Sequence, residues 1–304
     1  MSQPPANAVA ASTPPWKLYW LGARPRTLPA AIAPVVLGTA AATPEFSLWI
    51  FACALGVALF VQIATNYAND YSDGIRGTDD PGSRSGPVRL VGNGLVEPSK
   101  VKAAMLVAFA LTALCGLPLV IWVDWRLVFV GIAAIAAGWF YTGGPSPYGY
   151  AGYGELFVFV FFGLVATVGS FYVQVGSVSL IAVLCGIATG SLATALLVVN
   201  NLRDIDSDTQ SGKRTLAVKI GDRSTRYLYV ALTVLPFLMV PIIAGTSSRP
   251  FGALAFVAVI PARDPVTSVL TGARGKELIA VLGRTGMVQM IFAVLLAAGL
   301  VLGA

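Results

Sequence analysis

The sequence predicts an all-α protein that crosses a membrane several times, and three observations support this fold class. Of the 304 residues, 56% are hydrophobic and only 11% are charged. An average soluble domain has roughly 25% charged residues. The mean hydropathy is +0.77, and the apolar residues form segments close to the ~20 residues that a membrane-spanning helix needs. A soluble fold of this length is therefore excluded.

Nine apolar segments are predicted to be spanning helices arranged around a central cavity. The eighth is interrupted by two prolines, Arg263 and Asp264, and the neighbouring Arg263 is expected to pair with Asp264. Residues 1–15 are rich in Pro, Ala and Ser without a basic residue, which predicts a disordered tail rather than a signal peptide. Residues 16–304 are predicted to form one transmembrane domain. The nine predicted spans are 28–44, 47–66, 103–123, 126–141, 155–173, 178–199, 227–245, 251–270 and 284–303.

Lysine and arginine are distributed unequally between the two sides of these spans. Eighteen of the twenty lie in the N-terminal segment and the even-numbered loops, and Arg126 and Arg249 lie on the other side. This asymmetry is typical of cytoplasmic loops. We therefore expect the N-terminus on the cytoplasmic side. The same topology explains the net charge of +6, so no nucleic-acid partner is predicted, and no protein partner can be inferred.

The residue types exclude several kinds of site. The chain contains no histidine, which rules out Ser-His-Asp triads and histidine metal ligands. Its three cysteines, Cys53, Cys115 and Cys185, stand alone in apolar segments. Their spacing does not match a zinc site, an iron–sulfur site or a disulfide framework.

Half of the acidic residues lie in two short stretches, each at the cytoplasmic end of an apolar span. Within each stretch the spacing of about four residues would place carboxylate and amide oxygens on one helix face. Ionised carboxylates at membrane depth cost at least ~2.5 kcal/mol, so a cation is expected beside them. An all-oxygen ligand set favours Mg²⁺. The first stretch contains Asn66, Asn69, Asp70 and Asp73, and the second contains Asn200, Asp204 and Asp208.

A glycine-containing basic loop follows each acidic stretch, so the chain contains an internal pseudo-repeat with Asn66 and Asn200 134 positions apart. Two acidic faces that meet across a cavity would hold two Mg²⁺ ions and a diphosphate, with basic side chains on its oxygens. Ordinary positive-inside charge is the alternative interpretation of these basic residues. They are Arg84, Arg89, Lys213 and Arg214.

At these two motifs the sequence resembles the UbiA-type superfamily of membrane-embedded aromatic prenyltransferases. The motifs are Asn69-Asp70-Tyr-Ser-Asp73 and Asp204-Ile-Asp-Ser-Asp208. Three further stretches resemble the branch that prenylates 1,4-dihydroxy-2-naphthoate in menaquinone synthesis. They are Gly86-Pro-Val-Arg89, Tyr141-Thr-Gly-Gly-Pro145 with Gly152-Tyr-Gly-Glu155, and Gly212-Lys-Arg-Thr-Leu-Ala-Val218.

The resemblance implies an activity and a role for each motif residue. Family members join an isoprenyl diphosphate to an aromatic acid, and a menaquinone enzyme implies an inner membrane. Asp70, Asp73, Asp204 and Asp208 would bind Mg²⁺ for catalysis, and Tyr141 would flank the allylic cation. Asn66, Asn69, Asn200, Arg89, Lys213 and Arg214 would bind substrate, and Arg203 would orient the acceptor carboxylate or hold diphosphate.

One position departs from the family pattern. Many members have a further Asp four residues after the second Asp of the first motif. Here that position is Gly77, and the next acids are Asp79 and Asp80. Either Asp79 substitutes from a shifted loop or the first site has fewer carboxylates.

The sequence leaves other functions open. A superfamily member with another acceptor, such as 4-hydroxybenzoate, homogentisate, haem or a lipid phosphate, fits the same motifs. A divalent-cation transporter would use the same carboxylates, but both clusters lie at one end of the predicted spans. A non-catalytic scaffold would leave the paired acidic faces without a cause.

Overall fold

A computed structural model describes residues 14–78 and 89–304, and these residues form helices without any β-strand. Residues 1–13 of the predicted tail lie outside this range, and the first helix begins at Pro15. The helices are α1 Pro15–Gly22, α2 Pro29–Ala41, α3 Leu48–Ile75, α4 Pro98–Trp122, α5 Leu127–Phe140, α6 Gly154–Val175, α7 Leu180–Arg203, α8 Ile205–Gln210, α9 Leu216–Ser247, α10 Pro250–Leu270 and α11 Lys276–Leu302.

Each predicted span coincides with an apolar helix, but the count of nine spanning helices is not confirmed. Seven helices are long and apolar enough to cross a membrane: α3, α4, α6, α7, α9, α10 and α11. Helices α2 and α5 have only 13 and 14 residues. At ~1.5 Å per residue they measure about 20 Å, less than the ~30 Å of a hydrocarbon core.

Proline and glycine explain several helix boundaries. Pro15, Pro29 and Pro98 each begin a helix, where the missing N–H would have no intrahelical partner. Helix α6 ends at Gly176, whose φ of 77° is the left-handed conformation that suits glycine. At Gly221, with φ 80° and ψ 169°, α9 leaves helical geometry near its start.

Two long helices contain non-α segments. Residues Phe159–Val165 of α6 form a π-helical segment, and α10 begins with the 3₁₀-helical residues Pro250–Ala258. The sequence interruption at Asp264 therefore lies within the α-helical second half of α10. The expected pairing with Arg263 is wrong: Asp264 pairs with Arg284, 3.0 Å away, and its side chain is 74% exposed.

Helix α7 is the central element of the bundle. In its most apolar stretch 72% of the residues are buried, whereas in the corresponding stretch of α3 only 17% are. It packs against α2, α6, α9 and α11, while α3 packs mainly against α4. A cavity of about 520 Å³ lies among α2–α7, as the sequence predicts. Its walls are mainly apolar, and its polar residues concentrate where α3 and α7 end, which we call the motif end.

The outer surface of the bundle carries large apolar side chains. Leu114, Trp122, Phe129 and Ile260 are 63%, 70%, 62% and 72% exposed, respectively. Exposed apolar area of this extent is unusual in a soluble monomer. Together with the seven long apolar helices, it identifies a multi-pass membrane protein.

The contact between α6 and α7 depends on glycines. A Cβ added to Gly163 would overlap with the Cα of Gly190 and lie 2.8 Å from the Gly186 carbonyl oxygen. We expect Gly163→Ala to lower stability by about 1–3 kcal/mol, because two helix backbones would have to separate. Thermal unfolding in detergent measures this loss.

Gly169 on the same helix provides a matched control, because a Cβ there would meet no atom within 4 Å. Gly169→Ala should keep or raise stability, since alanine is favoured over glycine in a helix by about 1 kcal/mol. Equal destabilisation by both substitutions would contradict a contact-specific role for Gly163.

Candidate functional site

The first motif lies on the last turns of α3, which continues as a helix to Ile75, nine residues beyond the predicted span end at residue 66. Asn66, Asn69, Asp70 and Asp73 are all buried, each less than 9% exposed. Buried polar groups need hydrogen-bond partners. The partners of these four side chains divide the motif into residues that support the structure and residues that face the cavity.

Asp70 holds a neighbouring chain segment in place. Its Oδ2 accepts a hydrogen bond from the Leu90 N–H and its Oδ1 accepts one from the Val91 N–H, both at 2.9 Å. Bonds from backbone N–H groups to an ionised carboxylate are stronger than neutral ones. Asp70 is 1% exposed and is not among the cavity-lining residues. Its contacts bring the adjacent Arg89 to the cavity.

Asp73 connects three elements at the motif end. Lys213 Nζ lies 3.3 Å from its Oδ1 and Arg89 Nη2 lies 3.5 Å from its Oδ2. The Tyr150 hydroxyl also donates a hydrogen bond to Oδ1. Lys213 lies 4.6 Å from the centre of the Tyr150 ring, within cation–π range. One buried carboxylate thus joins two predicted substrate-binding cations.

The two asparagines of α3 have different surroundings, although both line the cavity. Asn69 Oδ1 accepts a hydrogen bond from Thr142 Oγ1 at 2.9 Å. Asn66 Nδ2 donates to the Ala23 carbonyl at 2.8 Å and to Thr27 Oγ1 at 3.1 Å. The Asn66 amide therefore fixes the turn between α1 and α2. Its role in substrate binding stays a prediction.

The second motif does not lie on one continuous helix, and the expected shared face of residues 200, 204 and 208 is wrong. Helix α7 ends at Arg203, Asp204 has φ −99° and ψ 7°, and the short helix α8 follows. Asp208 on α8 and Asn200 on α7 line the cavity, whereas Asp204 does not. The change of direction at Asp204 separates these side chains.

Arg203 is held by its own neighbours. It donates to both carboxylate oxygens of Asp204, at 2.8 and 2.7 Å, and to Asn200 Oδ1 at 2.9 Å. Its side chain is 4% exposed and does not line the cavity. The predicted contact with the acceptor carboxylate would require this two-bond pair to open.

Lys213 and Arg214 face different surroundings. Gly212 has φ 74°, a conformation that residues with a Cβ rarely adopt, and after this turn Lys213 is 5% exposed and lines the cavity. Arg214 is exposed and lines a separate surface depression with Lys219. Direct substrate contact within the cavity is therefore supported for Lys213 and not for Arg214.

Aromatic side chains form the wall beside the motif end. The Tyr141 and Tyr148 rings are 5.5 Å apart, and Tyr148 stacks on Phe157 at 3.9 Å. All three line the cavity. Burial raises the pKa of the Tyr141 hydroxyl well above its ordinary value, and burial followed by the nearby Asp73 charge raises the pKa of Tyr150. Both hydroxyls are therefore protonated at neutral pH.

Sequence reasoning did not single out several residues at this site. Tyr150 contacts Asp73, and Arg24 lines the cavity from the turn after α1. Asn201 also lines it, and its Nδ2 donates to Glu155 Oε1 at 2.9 Å. Tyr150 and Glu155 lie in or next to the glycine-rich stretches quoted for the family resemblance, which was the available signal. Asp79, Asp80, Arg84 and 86–88 lie outside the described residues.

The oxygen atoms of the cavity could bind a magnesium ion only if water or substrate supplied further ligands. The cavity is lined by the carboxylates of Asp73 and Asp208 and by the side-chain amides of Asn66, Asn69 and Asn200. Their oxygens are the hard ligands that Mg²⁺ prefers. Within the described part of the chain, no three acidic or cysteine side chains form a group that would enclose a metal ion. Mg²⁺ typically completes its shell with water and substrate phosphate, which matches this arrangement.

The chain is similar to known prenyltransferases in sequence. The sequence model of the UbiA prenyltransferase family matches residues 31–263. A 1,4-dihydroxy-2-naphthoate octaprenyltransferase of Mycobacterium tuberculosis is 48% identical over 93% of this chain and 96% of that protein. An enzyme of the same name from Escherichia coli is 40% identical over 70% of this chain and 72% of its own length.

Solved structures show the same fold at low sequence identity. A UbiA homolog from Archaeoglobus fulgidus bound to DMAPP and Mg²⁺ has a TM-score of 0.61 and 14% identity, covering 94% of this chain and 99% of that one. An apo UbiA homolog from Aeropyrum pernix has a TM-score of 0.64 and 16% identity, covering 90% and 97%.

We expect Mg²⁺ together with inorganic pyrophosphate to stabilise the protein, by about 2.7 kcal/mol at a hundred times the dissociation constant. Asp73→Asn and Asp208→Asn should remove this stabilisation, because each loses a cavity-lining carboxylate. Thermal unfolding with and without EDTA measures it.

Asp206→Asn is the matched control, since Asp206 lies on the same short helix as Asp208 but is exposed. It should keep the full stabilisation. Equal stabilisation by pyrophosphate in EDTA, or equal loss in all three variants, would contradict a metal-dependent anion site at Asp73 and Asp208.

Proposed function

Because the chain belongs to the UbiA prenyltransferase family, we propose that it transfers a polyprenyl group from an isoprenyl diphosphate to 1,4-dihydroxy-2-naphthoate. The transfer releases pyrophosphate and CO₂ and gives a 2-polyprenyl-1,4-naphthalenediol, which is the reduced form of demethylmenaquinone, for menaquinone synthesis. The supporting observation is that Lys213 and Asp73, 140 positions apart in the chain, meet at the polar end of one otherwise apolar cavity. This arrangement suits a substrate with a diphosphate head and a long apolar tail.

Lys213 and Arg89 are the side chains that bind the diphosphate. Both already lie beside a buried anion, the Asp73 carboxylate, so the diphosphate would meet cations that are positioned before it arrives. Donors positioned in advance stabilise charge that develops in a transition state, because no reorganisation is needed. When the carbon–oxygen bond of the substrate breaks, negative charge grows on the oxygen that was bonded to the prenyl carbon. These two cations stabilise that charge.

Mg²⁺ supplies the remaining positive charge that a departing pyrophosphate requires. Asp73 and Asp208 would hold it directly, since their side chains line the cavity. Asp70 accepts hydrogen bonds from two backbone N–H groups, and Asp204 accepts them from Arg203. We propose that these two carboxylates, which lie outside the cavity, contribute to the binding of two ions. The use of a divalent metal is supported by the Mg²⁺-bound homolog.

The aromatic wall protects the prenyl group after the diphosphate has left. Tyr141, Tyr148 and Phe157 line the cavity, and aromatic rings attract a cation. The mainly apolar walls of the cavity limit the access of water, which would otherwise capture the allylic cation as an alcohol. Tyr141 stays protonated and neutral, so it stabilises the cation without competing as a nucleophile.

We further propose that residues 16–304 form one domain in the inner membrane, with the N-terminus and the motif end on the cytoplasmic side. The distribution of lysine and arginine supports this orientation. The lipid bilayer would then surround the exposed apolar side chains, and both substrates would reach the site from the cytoplasmic face.

The test uses the purified full chain with Mg²⁺, labelled geranylgeranyl diphosphate and a panel of aromatic acids. We expect prenylated product with 1,4-dihydroxy-2-naphthoate as the preferred acceptor, and none in EDTA. Preference for 4-hydroxybenzoate would assign a different acceptor within the family. Absence of any prenylated product with every acceptor would contradict the proposal.

Lys213→Gln should lower kcat about a hundredfold, the usual effect of removing one donor that stabilises a transition-state anion. Steady-state kinetics with the two substrates measures it. The neighbouring Arg214→Gln is the control and should retain nearly full activity, because Arg214 lies outside the cavity. A comparable loss in Arg214→Gln would show that nonspecific positive charge, rather than the buried position of Lys213, is responsible.

A further inference from the structure

Three cationic side chains of the described part of the chain line the cavity: Arg24, Arg89 and Lys213. Two of them, Arg89 and Lys213, lie beside Asp73. Arg24 comes from a different part of the fold, the turn that connects α1 to α2. The cavity therefore has a cation that does not belong to the Asp73 cluster.

The backbone of Arg24 has a conformation that arginine rarely adopts. Its φ of 51° and ψ of 70° lie in the left-handed region, where a Cβ is disfavoured and glycine is usual. Non-glycine residues in this region occur mainly where the surrounding structure enforces them, often at ligand sites. Glycine would suit this turn sterically, but it would not provide a guanidinium group.

Side chains of α3 hold this conformation in place. Thr27 Oγ1 donates to the Arg24 carbonyl at 2.9 Å and accepts from Gln62 Nε2 and Asn66 Nδ2, both at 3.1 Å. Its single proton and both lone pairs are thus used. Asn66 Nδ2 also donates to the Ala23 carbonyl at 2.8 Å. Gln62 and Asn66 of α3 therefore help to fix the turn from which the Arg24 side chain extends.

The acceptor named for the relatives is a carboxylate, and this anion needs a cationic partner inside the cavity. Arg203 is bound to Asp204 and Asn200 and does not line the cavity. Arg89 and Lys213 are assigned to the diphosphate. A guanidinium matches a carboxylate with two parallel N–H···O bonds. Among the described residues, Arg24 is the third cation that lines the cavity.

We propose that Arg24 is the substrate-binding residue that receives the carboxylate of the aromatic acceptor. The assignment rests on the proposed function. It places the acceptor between the turn after α1 and the diphosphate at Asp73, so that the anionic groups of the two substrates are bound by separate cations. Asn66, Thr27 and Gln62 are then positioning residues that act through Arg24.

The experiment compares two inhibitors that differ by one group, 1-hydroxy-2-naphthoate and 1-naphthol, in competition with 1,4-dihydroxy-2-naphthoate. The wild-type enzyme should bind the carboxylate compound about 10- to 100-fold more tightly, the effect of a hydrogen-bonded charge. In Arg24→Gln this ratio should fall to nearly one. The KM for geranylgeranyl diphosphate should stay within about twofold.

Two further variants separate the guanidinium from the backbone. Arg24→Gly removes the side chain and suits the positive φ, so it should fold as well as the wild type and still lose the preference for the carboxylate inhibitor. Arg26→Gln is the matched control, because Arg26 lies in the same turn but is exposed and outside the cavity. It should keep the wild-type ratio.

The outcomes distinguish this inference from the proposed function. A wild-type enzyme that fails to prenylate 1,4-dihydroxy-2-naphthoate contradicts the proposed function itself. An active wild type with an unchanged inhibitor ratio in Arg24→Gln and Arg24→Gly overturns the assignment of Arg24 alone. Equal rises in KM for both substrates would show that Arg24 supports Asp70 and the first motif instead.

Discussion

The convergence of charged side chains on Asp73 is the interaction on which the site depends. It joins α3, the connection that contains Tyr150, the segment after residue 88 and the turn before α9. Burying an isolated charge in a low-dielectric interior costs several kcal/mol. Each of these charged side chains would be unfavourable if it were buried without the others, so each depends on its partners. The bundle helices bring the participating segments together.

The two acidic motifs differ in how they combine support with chemistry. In each, one carboxylate lies outside the cavity and is occupied by neighbouring groups, and another lines the cavity: Asp70 and Asp73 on α3, Asp204 and Asp208 at the end of α7. The occupied member of each pair fixes a chain segment that carries a further polar group. This division explains why a site that needs few cavity-facing carboxylates has a larger number of buried ones.

Much of the fold was predictable because hydropathy reports membrane helices directly. The all-helical class and the cavity are confirmed, and each predicted apolar segment coincides with a helix, but only seven helices of the described part of the chain are long enough to span a membrane. Asp73 and Asp208, one from each motif, both line the cavity. The predicted spans at 28–44 and 126–141 were already short, and the polar, proline and glycine residues that flank α2 and α5 agree with the ends of these helices. The orientation of Asp70 depends on where the chain returns at Leu90 and Val91, twenty residues away, and local spacing carries no information about that. At the break in the second motif, Arg203 bonds to both Asp204 and Asn200, and the regular spacing of the motif did not predict this local arrangement.

The π-helical segment of α6 bears on how related chains are compared. A π-helical turn contains one residue more than an α-helical turn, and one residue corresponds to about 100° of rotation around a helix. Side chains after Val165 therefore face a different direction from those in an uninterrupted helix of the same sequence. An alignment with a relative that lacks this segment needs a single-residue gap within Phe159–Val165. Without that gap, lipid-facing positions in one protein would be equated with buried positions in the other.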